Sequence, residues 1–216
     1  MKLVVWDLHG TLEEGSDRAV IDLSNLVLER HGYAERFSYA DSRHLSGRKW
    51  HEYFQWLLGA GDHERDLALQ DACFTLSAEN TEFQRRRVRP TPHAPLVLEA
   101  VRSAHQQLLI SNARPETLRL FIGFLGYGTF FTAGNAFAAG GRASRSPLSK
   151  ADILARFLST AGSYEELLII GDSPGDMHLR DVAGGVTYLF AHPGTEFSDC
   201  AADFRIRDLR AILDRL

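Results

Sequence analysis

The sequence predicts an α/β protein built on a doubly wound parallel sheet, with an all-α insertion after the first strand. Three observations predict this fold class. The chain opens with KLVVW, a short apolar run typical of a buried strand. Apolar residues then recur at helical spacing through residues 19–87. From residue 94 onward, helical and strand-like segments alternate, which is typical of a parallel sheet covered by helices on both faces.

The insertion follows directly on the first strand, which ends at Asp7. Its predicted helices cover residues 19–30, 48–58 and 63–87. A basic run at residues 85–87, followed by three prolines, marks its exit. We therefore expect a core of residues 1–14 and 90–216 and a helical cap domain of residues 15–89.

The alternating part of the chain supplies the other elements of the core. Helices are expected at residues 94–105, 115–125, 149–161, 176–183 and 208–213. Strands are expected at residues 107–110, 129–132, 167–170 and 186–190. The resulting order of strand and helix predicts a Rossmann-like core.

Composition restricts the class of protein. The 216 residues are 44% hydrophobic with a formal net charge of −4, so no basic field is present to attract nucleic acid. No apolar segment has the length that a membrane span needs, and Asp7 interrupts the first apolar run. The two cysteines, Cys73 and Cys200, lack metal-ligand spacing and are typical of a reduced, cytoplasmic protein.

Polar side chains follow the predicted strands, at the edge where ligands of such sheets bind. These residues are Asp7, Ser111, Asn112, Asp172 and Asp176, with Lys150 at the start of a helix. Mg²⁺ prefers carboxylate and phosphate oxygens, and an aspartate beside such an ion can attack phosphorus. A lysine, a hydroxyl and backbone N–H groups can bind the other phosphate oxygens. The sequence thus predicts a magnesium and phosphate site.

The residues at these strand ends resemble the haloacid dehalogenase superfamily of phosphohydrolases. Its four signature elements occur in order as VVW-Asp7-Leu8-His9-Gly10-Thr11-Leu12, LLI-Ser111-Asn112, Lys150, and Gly171-Asp172 through Asp176. The similarity covers the predicted core, and the position of the helical insertion resembles the first type of cap in that family.

The resemblance implies roles for the strand-end residues. Asp7 would be the nucleophile and a ligand of Mg²⁺, while Ser111 and Lys150 would hold the transferring phosphoryl oxygens. Asp172 would bind Mg²⁺, and Asp176 would bind it or orient its waters.

Substrate recognition is expected from the loops around this edge. Residues 46–51 of the insertion combine a glycine, two cations and an aromatic ring, which favours a loop that closes over the phosphate ester. The expected substrate-binding residues are Gly10, Thr11, Asn112, Arg48 and Lys49.

His9 departs from the family's pattern, which has an aspartate two residues after the nucleophile. In the family that aspartate protonates the leaving alcohol and then activates water, while its backbone carbonyl contacts the metal. The carbonyl of His9 keeps the metal contact, but a neutral imidazole is a poor acid for an alkoxide. We expect His9 either to act as an imidazolium acid or to restrict the enzyme to substrates with easy leaving groups.

The function predicted on these grounds is a Mg²⁺-dependent phosphate monoester hydrolase acting on a small phosphorylated metabolite. Hydrolysis of a phosphonate or carbon–halogen bond on the same scaffold stays open. Asp172 and Asp176 disfavour halide displacement, and the phosphonate reaction would need Lys49, the only lysine in residues 15–89. A catalytically silent module that binds a phosphorylated ligand is a third alternative. The sequence does not indicate the oligomeric state.

Overall fold

The computed structural model describes residues 1–45, 48–140 and 148–216. Its strands are β1 (Leu3–Trp6), β2 (Glu13–Glu14), β3 (Arg89–Pro90), β4 (Gln106–Ser111), β5 (Ala136–Ala138), β6 (Leu167–Gly171), β7 (Val186–Phe190) and β8 (Phe204–Ile206). Six of them form one sheet in the order β5-β4-β1-β6-β7-β8, and every pairing in it is parallel. The predicted doubly wound parallel sheet is confirmed.

Helices connect these strands. They are α1 (Ser16–Arg30), α2 (Ser42–Leu45), α3 (Trp50–Leu58), α4 (His63–Glu79), α5 (Thr81–Arg87), α6 (Ala94–Ala104), α7 (Pro115–Phe124), α8 (Lys150–Ala161), α9 (Pro174–Met177) and α10 (Arg180–Ala183). Two 3₁₀ helices cover Tyr127–Thr129 and Leu209–Arg215. Across the described residues, every helix is too short or too polar to cross a lipid bilayer.

The two faces of the sheet are both buried, as the alternation of side chains along β1 shows. Val4 and Trp6 pack into a cluster with residues of α6, α7 and the C-terminal 3₁₀ helix. Leu3 and Val5 point the other way, into a cluster with residues of α8. β1 therefore lies in the centre of the core, and its C-terminal end opens at the middle of the sheet edge.

The helices α1–α5 have a hydrophobic cluster of their own, whose largest fully buried side chain is Phe54. Short antiparallel strands β2 and β3 pair where the chain enters and leaves this helical segment. Gly15 follows β2 with φ of 99°, and it lies against the backbone of Arg87 at the exit. The two connecting segments therefore touch each other directly.

One predicted strand is wrong. Residues 129–132 were expected to be a strand, whereas the structure has a 3₁₀ helix ending at Thr129 and places β5 further along the chain. The side chain of Asn135 explains the shift, because its Oδ1 accepts from the Thr132 amide at 2.7 Å and its Nδ2 donates to the Phe130 carbonyl at 2.9 Å. These bonds fix a turn, and strand pairing begins only after Asn135.

Other predicted elements are divided or were missed. The helix expected over residues 63–87 is interrupted at Asn80, whose side chain donates to the Leu76 carbonyl. The helix expected at residues 176–183 is two short helices, α9 and α10, and the last helix is 3₁₀. Strand β8 has two exposed residues out of three, so it carries little apolar signal.

The contact between Gly15 and Arg87 predicts a stability difference between two glycine substitutions. A Cβ atom at residue 15 would lie 2.1 Å from the Arg87 carbonyl oxygen, whereas one at Gly32, which also has positive φ, would meet nothing within 4 Å. Gly32→Ala should lower the free energy of unfolding by about 1 kcal/mol through backbone strain alone. Gly15→Ala should cost about 1–3 kcal/mol more because the segments must move apart. Urea denaturation of both variants measures this, and equal losses would contradict the packing.

Candidate active site

Three carboxylates meet where β1 and β6 end. Trp6 pairs with Ile170 in the register of these parallel strands, so Asp7 lies beside the chain that leads into Asp172. Asp176 follows in the first turn of α9. One oxygen from each of these three aspartates lies within 4.8 Å of the others, a spacing that could hold a metal ion.

Lys150 bridges two of these carboxylates. It is the first residue of α8, and the side chain of Ser149 caps that helix by accepting from the Asp152 amide. The Lys150 Nζ donates to Asp7 Oδ1 at 2.5 Å and to Asp176 Oδ1 at 2.7 Å. All three side chains are buried, so these charge-assisted bonds lie largely out of water.

The charges in this cluster do not balance. Burial is the main reason that the pKa of Asp7 rises from 3.8 to about 6, and repulsion from Asp176 adds to it against the attraction of Lys150. Burial disfavours the Lys150 ammonium, but attraction to Asp176 and Asp7 outweighs it, so the pKa of Lys150 is above its ordinary value. Three carboxylates against one ammonium favour binding of a divalent cation.

Two glycines allow the carboxylates to approach. Gly10 has φ of 81°, and a Cβ atom there would lie 2.5 Å from Asp172 Oδ2. A Cβ atom at Gly171 would lie 2.2 Å from the Cβ atom of Asp176. Any larger residue at either position would push an aspartate away from the cluster.

His9 lies beside this cluster, but it is held by other contacts. Its Nδ1 is 2.9 Å from Glu13 Oε1, and its ring meets Phe121 edge-on with centroids 4.8 Å apart. The side chain is 31% exposed. Glu13 was not predicted from the sequence. It belongs to an acidic pair after a turn, and the sequence does not distinguish a buried glutamate in such a pair from a solvated glutamate.

A cleft of about 1540 Å³ opens above the sheet edge between the core and the helical segment. The predicted site residues that line it are Asp7, His9, Gly10, Arg48, Lys49, Asn112, Lys150 and Asp172. Arg48 and Lys49 come from the helical segment, so both parts of the chain contribute to the cleft. The neighbouring Ser46 and Gly47 lie outside the described residues.

The remaining predicted residues lie behind the wall of the cleft. Asp176 is 1% exposed, and its carboxylate accepts a hydrogen bond from Lys150. Ser111 is fully buried at the end of β4, where its Oγ accepts from the Ala113 amide at 3.2 Å. Thr11 is also fully buried, and its Oγ1 has no hydrogen-bond partner within residues 1–45, 48–140 and 148–216.

Arg114 connects the core to the helical segment, and the sequence analysis did not single it out. Its guanidinium donates to Asp71 Oδ1 at 2.5 Å and lies 3.5 Å from the centre of the Phe74 ring, both on α4. Tyr53 of α3 also lines the cleft. Burial raises the pKa of Tyr53, and the negative charge of Asp172 raises it further. No spacing rule could have found these contacts, because they join distant segments.

The sheet is of the parallel α/β class, and the acidic cluster lies at its carboxyl edge. The family model of haloacid dehalogenase-like hydrolases matches residues 1–178, and the chain belongs to this family. No curated protein matches the sequence.

Solved structures resemble the whole chain at low sequence identity. A haloacid dehalogenase-like hydrolase from Streptococcus pneumoniae is 17% identical, with TM-score 0.76 and coverage of 99% of this chain and 97% of the other. A predicted phosphoglycolate phosphatase from Haemophilus somnus is 16% identical, with TM-score 0.78 and coverage of 100% and 97%. A family hydrolase from Deinococcus radiodurans with bound phosphate and sodium is 19% identical, with TM-score 0.66 and coverage of 99% and 95%.

The Lys150 bridge predicts a large stability effect in metal-free protein. Lys150→Met should lower the free energy of unfolding by about 3–5 kcal/mol, because it leaves buried carboxylates without a counter-charge. Adding Asp7→Asn to that variant should restore part of the loss by removing one of those charges. Lys2→Met is the control, since Lys2 forms a partly exposed pair with Glu166 and its loss should cost about 1 kcal/mol or less. Urea denaturation in EDTA measures the free energy of unfolding of each variant. A loss in Lys150→Met no larger than that in Lys2→Met would refute the bridge.

Proposed function

We propose that the chain is a Mg²⁺-dependent phosphate monoester hydrolase that forms an aspartyl-phosphate on Asp7. The observation that carries this proposal is the cluster of buried Asp7, Asp176 and Lys150 with half-buried Asp172 at the sheet edge. In this proposal Asp7 is a carboxylate nucleophile beside a cation-binding site, and the cleft that it lines has room for a small phosphorylated metabolite.

The donor set fits Mg²⁺. Asp7, Asp172 and Asp176 would hold the ion together with the backbone carbonyl of His9, because hard oxygen ligands suit this cation. When bound, Mg²⁺ supplies positive charge to the phosphoryl oxygens. The cluster has more carboxylates than cations, and repulsion from Asp176 adds to the effect of burial in raising the pKa of Asp7. This excess of negative charge supports the assignment.

The protein's own residues perform the remaining steps. Asp7 attacks phosphorus, so that a bond from its carboxylate oxygen forms while the ester P–O bond breaks. His9 gives a proton to the departing alkoxide and then takes one from the water that hydrolyses the aspartyl-phosphate. The other side chains and backbone groups that bind phosphoryl oxygens in this proposal are Ser111, Lys150, Asn112, Gly10 and Thr11.

The helical segment, residues 15–89, acts as a cap domain on the core of residues 1–14 and 90–216 in this proposal. Its Arg48 and Lys49 line the cleft and suit an anionic substrate. A cap over the site excludes water and selects the substrate. The similar structure from Haemophilus somnus is that of a predicted phosphoglycolate phosphatase, which supports the substrate class. A cytoplasmic location is consistent with two free cysteines.

Turnover of an activated aryl phosphate with Mg²⁺ tests the proposed chemistry. Asp7→Asn should lower kcat on the order of 10³-fold or more, because the amide cannot serve as nucleophile. Asp181→Asn, a change of an exposed aspartate on α10, is the matched control and should keep full activity. Undiminished turnover in Asp7→Asn would exclude Asp7 as the nucleophile. A wild-type protein that binds Mg²⁺ without turnover would favour the silent phospho-ligand-binding module.

The role of His9 predicts a dependence on the leaving group. His9→Ala should lower kcat for an alkyl phosphate by about 10²–10⁴-fold through loss of the acid. The loss should be much smaller for 4-nitrophenyl phosphate, whose leaving group needs no proton. His9→Asp should change the ratio of the two kcat values in the direction of faster alkyl phosphate hydrolysis. A ratio unaltered by both substitutions would remove His9 from the mechanism.

A further inference from the structure

Glu13 is a fully buried carboxylate in an unusual setting. Its side chain is 0% exposed, and within the described parts of the chain neither lysine nor arginine forms an ion pair with it. The hydroxyl and backbone amide of Ser16 donate to it, and the Nδ1 atom of His9 lies within hydrogen-bond distance. A buried carboxylate is costly unless donors surround it, so these bonds define its orientation.

The bond between Glu13 and His9 fixes which nitrogen of the imidazole carries a proton. Ser16 donates to both carboxylate oxygens of Glu13, so this side chain acts as an acceptor and His9 Nδ1 is the donor over the 2.9 Å to Oε1. The edge-on contact with Phe121 holds the plane of the ring. Nε2 is then the nitrogen left for the cleft, and among the described residues it has no hydrogen-bond partner.

We propose that Glu13 is a positioning residue, which keeps His9 Nδ1 protonated and turns Nε2, the nitrogen that carries the transferred proton, toward the oxygen of the leaving group. The consequence for the reaction rests on the proposed function, because it requires His9 to transfer protons. The hydrogen bond itself does not rest on it. Carboxylates that orient an imidazole in this way set its tautomer and direction, and their loss reduces activity without removing it.

The surroundings of Glu13 predict what an isosteric amide would do. The Ser16 backbone N–H donates to Oε2 at 3.3 Å, so this position needs an acceptor. In Glu13→Gln the amide oxygen should take that position and leave the NH₂ group opposite His9. Because NH₂ is a donor, Nδ1 would have to accept, and the proton would move to Nε2.

Two-bond ¹H–¹⁵N correlation spectra of protein saturated with Mg²⁺ measure this directly. Among the nine histidines, the His9 signals are those that disappear in His9→Ala. We expect a protonated Nδ1 in the wild type and an unprotonated Nδ1 in Glu13→Gln. Glu13→Met, whose thioether is only a weak acceptor, should also lose the wild-type signature. An unprotonated Nδ1 in the wild type, or the wild-type signature in both variants, would overturn the proposal.

A kinetic cycle separates positioning from a merely structural role. Glu13→Gln should lower kcat for an alkyl phosphate about 10- to 100-fold with little change in KM. In a His9→Ala background the same substitution should have no further effect. Equal losses in both backgrounds would mean that Glu13 only supports the fold, and they would overturn the proposal.

A matched control is available in Asp66, another fully buried carboxylate, which accepts from Arg65 on α4. Asp66→Asn should leave the His9 signature and kcat unchanged.

The two proposals can also fail separately. If His9→Ala keeps full kcat on the alkyl phosphate, the proton-transfer role of His9 falls, and with it the positioning of Nε2 for the reaction. If only the protonation of His9 Nδ1 differs from the expected result, the positioning role of Glu13 is refuted and the proposed hydrolase function is unaffected.

Discussion

The bridge from Lys150 to Asp7 and Asp176 is the interaction on which the site depends. Bringing three carboxylates together at one sheet edge, two of them buried, is unfavourable unless positive charge lies among them. The fold meets this constraint by adjacent parallel strands that bring the aspartates together and by a capped helix that begins at the lysine. Gly10 and Gly171 leave the space that the carboxylates need. The remaining negative charge is what a divalent cation would neutralise.

A second polar pair lies beside the acidic cluster. His9 and Glu13 are joined by a hydrogen bond and lie beside Phe121, on the short segment between β1 and the helical segment. In the proposed function the acidic cluster acts on the phosphoryl group and the imidazole acts on the alcohol. The departure of His9 from the family pattern is therefore accompanied by a buried partner that defines the geometry of the ring.

Much of the core was predictable from sequence because parallel α/β sheets follow strict rules. Buried strands are apolar throughout, and the residues at their carboxyl ends share one edge, so position alone predicted that Asp7 and Asp172 lie near each other. The strand expected at residues 129–132 failed because the side-chain bonds of Asn135 set a turn that apolar spacing does not reveal. Glu13 and Arg114 were missed because their importance comes from partners that only the folded chain brings near them.

The covalent intermediate on Asp7 is the central claim, and reductive trapping tests it most directly. An acyl phosphate is reduced by borohydride to an alcohol, whereas a free carboxylate is not. The protein would be mixed with substrate and Mg²⁺, quenched during turnover with borohydride, and mapped by peptide mass spectrometry. The account predicts conversion of residue 7 to homoserine, dependent on substrate. Turnover with an unmodified Asp7, or reduction at another aspartate, would contradict it.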